Sequence, residues 1–247
     1  MQTNYPQKKG IGFILSEAFA YWNRTLVYQI LFSLIYFSVL FVVLFYFASR
    51  LGIMEQYIGL SEKLKQGMEV YRKGVQEIAD NPNFLKFQII WLLTMAFLFP
   101  LNLGLMKMFR KLDQGEKPAM EDLFAGYAGS NFFIYTSFFL FWSIIYVYTV
   151  PTIFLALIWV LVTLFCAPLM FFMDKRIHEA VALNFKALRL YPLEILVCTF
   201  VAFAFKYFGI LTFIGAIFTL PFWNAVIYAL YSLSLIHISE PTRRRGI

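Results

Sequence analysis

His178-Glu179 opens like the helix on which metalloproteases bind zinc, where a second histidine three residues after the glutamate supplies the next ligand. Here that place is Ala182, so the pair cannot close a metal site and His178 reads as an interfacial side chain. The chain has no glycine-rich phosphate loop ending in lysine, no Gly-x-Ser-x-Gly elbow and no carboxylate cluster within its apolar stretches. No catalytic residue, metal site or cofactor is therefore expected. Cys166 and Cys198 sit inside apolar blocks without a histidine at ligand spacing, and read as small packing residues.

What remains for chemistry are polar groups inside apolar runs, since burying them without partners costs several kcal/mol. Asn102 follows Pro100, and Asn224 follows Pro221. One reading is that each asparagine bonds a neighbouring helix. The other is that Pro100, Asn102, Pro221 and Asn224 together line a polar cavity where the prolines free backbone carbonyls. Glu194 and Lys206 are 12 residues apart, about 18 Å along a helix, and cannot pair. Each is expected to snorkel to its own interface.

The elements that would hold these groups are set by hydrophobicity. Of 247 residues 61% are hydrophobic and 14% charged, against about 45–50% and about 25% in a soluble domain. The apolar residues come in unbroken blocks rather than at amphipathic spacing. Leu26 to Ser49 is 24 residues without a charge, and about 20 helical residues cross a roughly 30 Å hydrocarbon core. A secretory signal would have a shorter apolar region of about 7–15 residues, so a retained helix is expected. Between Asp122 and Asp174 lie 51 uncharged residues, right for two helices turning at Thr149-Val150-Pro151.

The fold class expected is all-α, a polytopic transmembrane bundle with spans at about 26–49, 87–108, 130–149, 152–173, 193–208 and 211–231. The last two would turn around Lys206-Tyr207-Phe208-Gly209. Between the first two spans, Tyr57, Leu60, Leu64, Met68, Tyr71, Val75 and Ile78 recur at spacings of three and four. This predicts one amphipathic helix over about 53–79, ended by Asn81-Pro82. It would lie on the membrane or on its own bundle, or form a docking surface for a partner outside the membrane; a membrane protein is the other candidate partner.

Basic residues are hard to translocate. Lys8, Lys9 and Arg24, then Lys107, Arg110, Lys111 and Lys117, then Lys175, Arg176, Lys186 and Arg189 alternate to one side, whereas the third turn has none and the fifth only Lys206. Both termini are therefore expected in the cytoplasm, with a plasma (inner) membrane location. The first connection, with Arg50, Lys63, Lys65, Arg72, Lys73 and Lys86, is the exception. Lys107, Arg110, Lys111, Lys175, Arg176, Lys186 and Arg189 are candidates to contact anionic lipid headgroups, each such contact contributing about 1 kcal/mol. They are spread over separate flanks without stacking aromatics, so nucleic acid is not an expected partner.

Three segments on that side share a design. Ile11, Leu15, Ala18, Phe19 and Trp22 form a stripe before the first span. Met120 to Tyr127 precedes the third, with Glu121 and Asp122 early, and residues 175–190 precede the fifth. Each reads as a short interfacial helix. The even spans each contain Thr followed by Pro: Thr94 and Pro100, Thr163 and Pro168, Thr219 and Pro221. An interfacial helix plus a hairpin, repeated three times, would account for the chain.

Glu121-Asp122-Leu123-Phe124-Ala125-Gly126-Tyr127, the later Asp174 with Glu179-Ala180, and Gly209 and Gly215 leading to Thr219-Leu220-Pro221 and Tyr228 resemble a family of bacterial six-helix membrane proteins. That family includes the membrane domain attached to some glycerophosphoryl diester phosphodiesterases. The resemblance covers roughly residues 85–231 and implies the fold; the phosphodiesterase barrel is absent. Residues 233–243, Leu-Ser-Leu-Ile-His-Ile-Ser-Glu-Pro-Thr-Arg, are a different matter. They resemble a translated tagmentation sequencing adapter in every codon, and 233–247 is expected to be a non-native tail. Arg243, Arg244 and Arg245 would then not form a basic tail, and His178 would be the only native histidine.

These features predict a non-enzymatic multi-pass membrane protein that interacts with lipids or accompanies a membrane complex. The alternatives are a permease for a small solute and a membrane-embedded enzyme.

Overall fold

Nothing in Leu26–Arg50 interrupts the backbone ladder, and it forms one helix of 25 residues. A computed structural model describes residues 10–212 and 214–234, which build an all-helical bundle. Lys8, Lys9, His237 and the adapter-like residues from 235 onward lie outside the described residues, whereas Leu233 and Ser234 continue the last helix. The helices are α1 (Ile11–Arg24), α2 (Leu26–Arg50), α3 (Ile53–Gln66), α4 (Met68–Ala79), α5 (Pro82–Leu98), α6 (Pro100–Asp113) and α7 (Asn131–Thr149). After them come α8 (Ile153–Thr163), α9 (Cys166–Met173), α10 (Ile177–Leu190), α11 (Pro192–Leu211), α12 (Ala216–Thr219) and α13 (Phe222–Ser234). A 310 helix, Met120–Tyr127, lies between α6 and α7.

Six helical stretches are long and apolar enough to cross a membrane: α2, α5 with α6, α7, α8 with α9, α11, and residues 215–234 containing α12 and α13. The even-numbered spans form the interior. In their most apolar stretches 50%, 44% and 67% of residues are buried, against 11%, 11% and 28% in the odd-numbered spans. Large side chains on the outside are left bare, among them Ile153 at 84% and Phe133 at 70% exposure. In water such a surface would drive aggregation; in hydrocarbon it is the matching surface. The protein is a multi-pass membrane protein.

The spans run further into their charged flanks than hydrophobicity suggests. The second starts at Pro82, where the Asn81 side chain accepts a hydrogen bond from the Asn83 N–H at 2.8 Å, and continues to Asp113. Lysines at a span's end are tolerable because their stems stay apolar while their heads reach water. The expected turn at Lys206–Gly209 is not there: α11 continues to Leu211, and Thr212, Ile214 and Gly215 follow it. Gly209 instead is buried where the Thr219 side chain crosses, and a Cβ there would overlap that side chain.

The predicted single outer helix is two helices. Gly67, at φ +127°, takes a conformation that L side chains rarely adopt and turns α4 back onto α3. Lys63 pairs with Glu77 across the hairpin, and Gly74 gives room for the Lys63 stem. Of the predicted stripe only Leu60 and Ile78 are buried, while Tyr57, Leu64, Met68 and Val75 are exposed. Glu69 and Lys73 do face each other, at 3.6 Å and largely exposed.

Helix α1 packs on α13, but through Ile14, Ala18 and Tyr21. The expected stripe of Ile11, Leu15, Phe19 and Trp22 flanks that buried line, and only Ala18 belongs to both.

Candidate functional site

Each even-numbered span is broken at its proline, because proline lacks the N–H that the carbonyl four residues earlier would accept. Pro100 separates α5 from α6, Pro168 follows the α8–α9 gap, and Pro221 lies between α12 and α13. A carbonyl exposed inside a membrane must find another donor. At all three breaks a side chain of another element donates to a nearby carbonyl, and at the third it is the one the proline frees.

At the first break the Tyr127 hydroxyl, from the 310 helix, donates to the Phe97 carbonyl at 2.8 Å. At the second, Asn184 of α10 is fully buried. Its amide donates to the carbonyls of Leu161 at 2.9 Å and Val162 at 2.7 Å, and its oxygen accepts the Phe165 N–H at 3.0 Å. At the third, the Ile217 carbonyl, the one Pro221 orphans, accepts from the Ser33 hydroxyl at 2.6 Å. The Phe218 carbonyl accepts from the Trp22 indole at 2.9 Å.

The breaks surround a cavity of about 390 Å³ to which all six spans contribute. Phe99 and Asn102 come from the first break, Thr163 and Pro168 from the second, Trp223 and Asn224 from the third. Phe32 and Tyr36 of α2, Trp142 of α7 and Lys206 of α11 close the sides. The Asn224 amide donates to the Asn102 side-chain oxygen at 2.9 Å, and the Asn102 amide donates to the Phe99 carbonyl at 2.9 Å. The two asparagines bond each other across a helix interface, and both also line the cavity.

Pro100 and Pro221 are buried and off its wall, Pro100 with its carbonyl against Gly126. Lys206 was expected to snorkel to the interface. Its ammonium lies 5.8 Å from the centre of the Trp223 ring, beside the cavity. The ammonium thus meets an aromatic face five residues before the helix end.

Sequence reasoning also missed the pairings at the end of the bundle where the basic flanks gather. Lys107 and Lys111, four apart and so on one face of α6, both reach the buried Asp122 carboxylate, at 3.0 and 2.7 Å. The Ala119 N–H donates to it at 2.8 Å. Burial pushes the Asp122 carboxyl up, but Lys111, Ala119 and Lys107 outweigh it and hold it below the usual carboxylate range. The 310 helix rides on α6 so closely that a Cβ on Gly104 would overlap the Leu123 carbonyl, and one on Gly126 the Pro100 carbonyl.

Beside it, both oxygens of Asp113 accept tyrosine hydroxyls, from Tyr21 at 2.6 Å and Tyr228 at 2.7 Å. Burial first, and then the Asp113 hydrogen bond, push the Tyr21 phenol well above its usual range. Arg110 stacks 5.0 Å over Phe172 and donates to its carbonyl at 3.3 Å. Of the seven candidates for headgroup contact, Lys107, Arg110 and Lys111 are thus engaged within the protein. Arg176, Lys186 and Arg189 are exposed and Lys175 is half-buried.

Among the described residues no three His, Cys, Asp or Glu side chains gather as a metal site. His178 is exposed and both cysteines are buried and free. No family model, curated protein or solved structure matches the chain.

Proposed function

We propose that this protein is a non-enzymatic lipid-interacting membrane protein that admits an amphipathic molecule from the bilayer into its central cavity. The observation that carries this reading is the wall, to which six spans bring mainly aromatic and aliphatic side chains with a few polar groups. Apolar pockets with few convergent polar groups are what amphipathic ligands select. The exposed Arg176, Lys186 and Arg189 supply an anionic-headgroup surface on α10, and the positive-inside rule turns that end of the bundle to the cytoplasm of a bacterial inner membrane.

The three capped breaks support an origin in three repeats. In each, an interfacial segment donates to the broken span before it in a ring, with α1 closing the circle on the last. Kinship to the bacterial six-helix family is proposed on the resemblance of residues 121–127 and the later motifs alone.

A second reading, a permease for a small solute, is favoured by the same breaks, since transporter sites lie where helices are interrupted near the midplane. Native mass spectrometry of the chain released from nanodiscs, beside uptake of a labelled solute panel into proteoliposomes, separates the two. Retained lipid, lost in Asn102→Leu and Asn224→Leu variants, is the expected result. Solute uptake abolished by those substitutions would replace the first reading with the second.

A further inference from the structure

We propose that Lys206 is the anion receptor of the cavity, and that the occupant is a single-chain amphipath with a carboxylate or phosphate head. This rests on the reading of the cavity as a lipid-type site and names its ligand class.

An ammonium held among apolar helices without a counterion is costly. Lys206 has none. No ion pair joins it to a carboxylate among the described residues. Of the helices packed against α11, α12 and α13 carry no charged residue, the acids Glu17 of α1 and Glu179 of α10 form no ion pair with Lys206, and Glu194 on α11 itself is 12 residues away. What the ammonium does have is the Trp223 ring at 5.8 Å, which satisfies one face of a cation and leaves its other donors for an acceptor.

The remaining polar groups suit a head rather than a second ion. Asn102 and Asn224 are bonded to each other on the same wall, and the Trp142 ring beside them buries an indole N–H with no acceptor. A cavity of about 390 Å³ is near the lower end of the roughly 300–1,000 Å³ that hold drug-sized ligands. It suits one chain with its head on Lys206, not a two-chain phospholipid. Aromatic walls from Phe32, Phe99, Trp142 and Trp159 are the surface such a chain would lie on.

Trp142, Trp159 and Trp223 all line the cavity and make the occupant visible. The full chain in phosphatidylcholine nanodiscs is titrated with 11-bromoundecanoate, 11-bromoundecyl phosphate, 11-bromoundecanol and 11-bromoundecyltrimethylammonium, with tryptophan quenching as the readout. The two anions should quench saturably and at least tenfold more tightly than the alcohol, with no saturable phase for the cation. Lys206→Gln should bring the anions to the alcohol's affinity, Lys206→Arg should keep the preference, and Lys65→Gln on the exposed face of α3 should change nothing. The thermal midpoint of each variant shows that it is folded.

If folded Lys206→Gln binds the anions as the native chain does while the alcohol still saturates, the receptor is elsewhere and the proposal falls, though the lipid-site reading survives. If no probe saturates the cavity, the lipid-site reading falls with it. Displacement of the bromo-acid by acetate or inorganic phosphate at equal concentration would also overturn the proposal, because the source would be a free anion from water.

Discussion

Asn184 and Phe165 are joined by a 3.0 Å hydrogen bond from a backbone N–H to a carboxamide oxygen, across the gap between α8 and α9. The same carboxamide donates to two carbonyls on the other side of that gap. One fully buried side chain therefore bonds three backbone groups around the gap, of which the Val162 carbonyl also accepts the Cys166 thiol at 3.8 Å. Each buried orphan costs roughly 1–3 kcal/mol. Asn184→Leu should lower stability by roughly 2–4 kcal/mol in a detergent unfolding titration, while Asn184→Gln should recover part of the loss.

Gly104 and Leu123 touch backbone to backbone where the 310 helix crosses α6. Gly104→Ala must push these elements apart, at about 1–3 kcal/mol for overpacking. Gly59 lies within α3 with open space around its Cβ position. Gly59→Ala should instead stabilise by about 0.5–1 kcal/mol through helix propensity. Opposite shifts in thermal midpoint are the expected pair of results; equal shifts would mean that the crossing is loose.

Asp122 has a folded pKa below its unfolded value, so it contributes stability above the unfolded pKa near 3.8 that is lost as pH falls through the folded one. Acid titration of unfolding should show this loss below about pH 4. Asp122→Asn should be flatter in that window and weaker by roughly 1–3 kcal/mol at neutral pH, discounted from a fully buried pair because Lys107 and Lys111 are 40% and 25% exposed.

Tyr21 has the opposite sign. Its phenol is raised when folded, so its contribution is complete below the unfolded pKa of about 10 and is lost as pH rises through the folded one. Native stability should decline above about pH 10, and Tyr21→Phe should decline less steeply. The same variant leaves one Asp113 oxygen without its Tyr21 partner, at a cost of about 1 kcal/mol at neutral pH.

Asn102 and Asn224 should couple in a double-mutant cycle. Interhelical polar pairs in membranes average about 0.6 kcal/mol and reach about 1.7. Asn102→Leu and Asn224→Leu together should cost less than the sum of the single changes by an amount in that range. A coupling of zero would mean that the 2.9 Å contact between them carries no energy.

The number of spans and their approximate places, the last turn excepted, followed from the amino-acid sequence alone, because hydrocarbon tolerates only long uncharged helices and that demand acts on each run by itself. Thr149-Val150-Pro151 turns as read, and the prolines of the even spans are where the helices break. Proline's missing N–H is a local property. The sequence also placed Asn102 and Asn224 among the groups that needed partners.

What they partner was decided by the tertiary structure, because it joins residues 122 apart. The sequence could not show that even spans sit inside and odd spans outside, since lipid and protein interior are equally apolar and hydrophobicity does not distinguish them. Gly67 splits the outer helix although its apolar stripe runs through without a gap. Lys206 lies beside a cavity, and Lys107, Arg110 and Lys111 are engaged within the protein. A charge goes to whichever partner is nearest in space, and that distance exists only once the helices are packed.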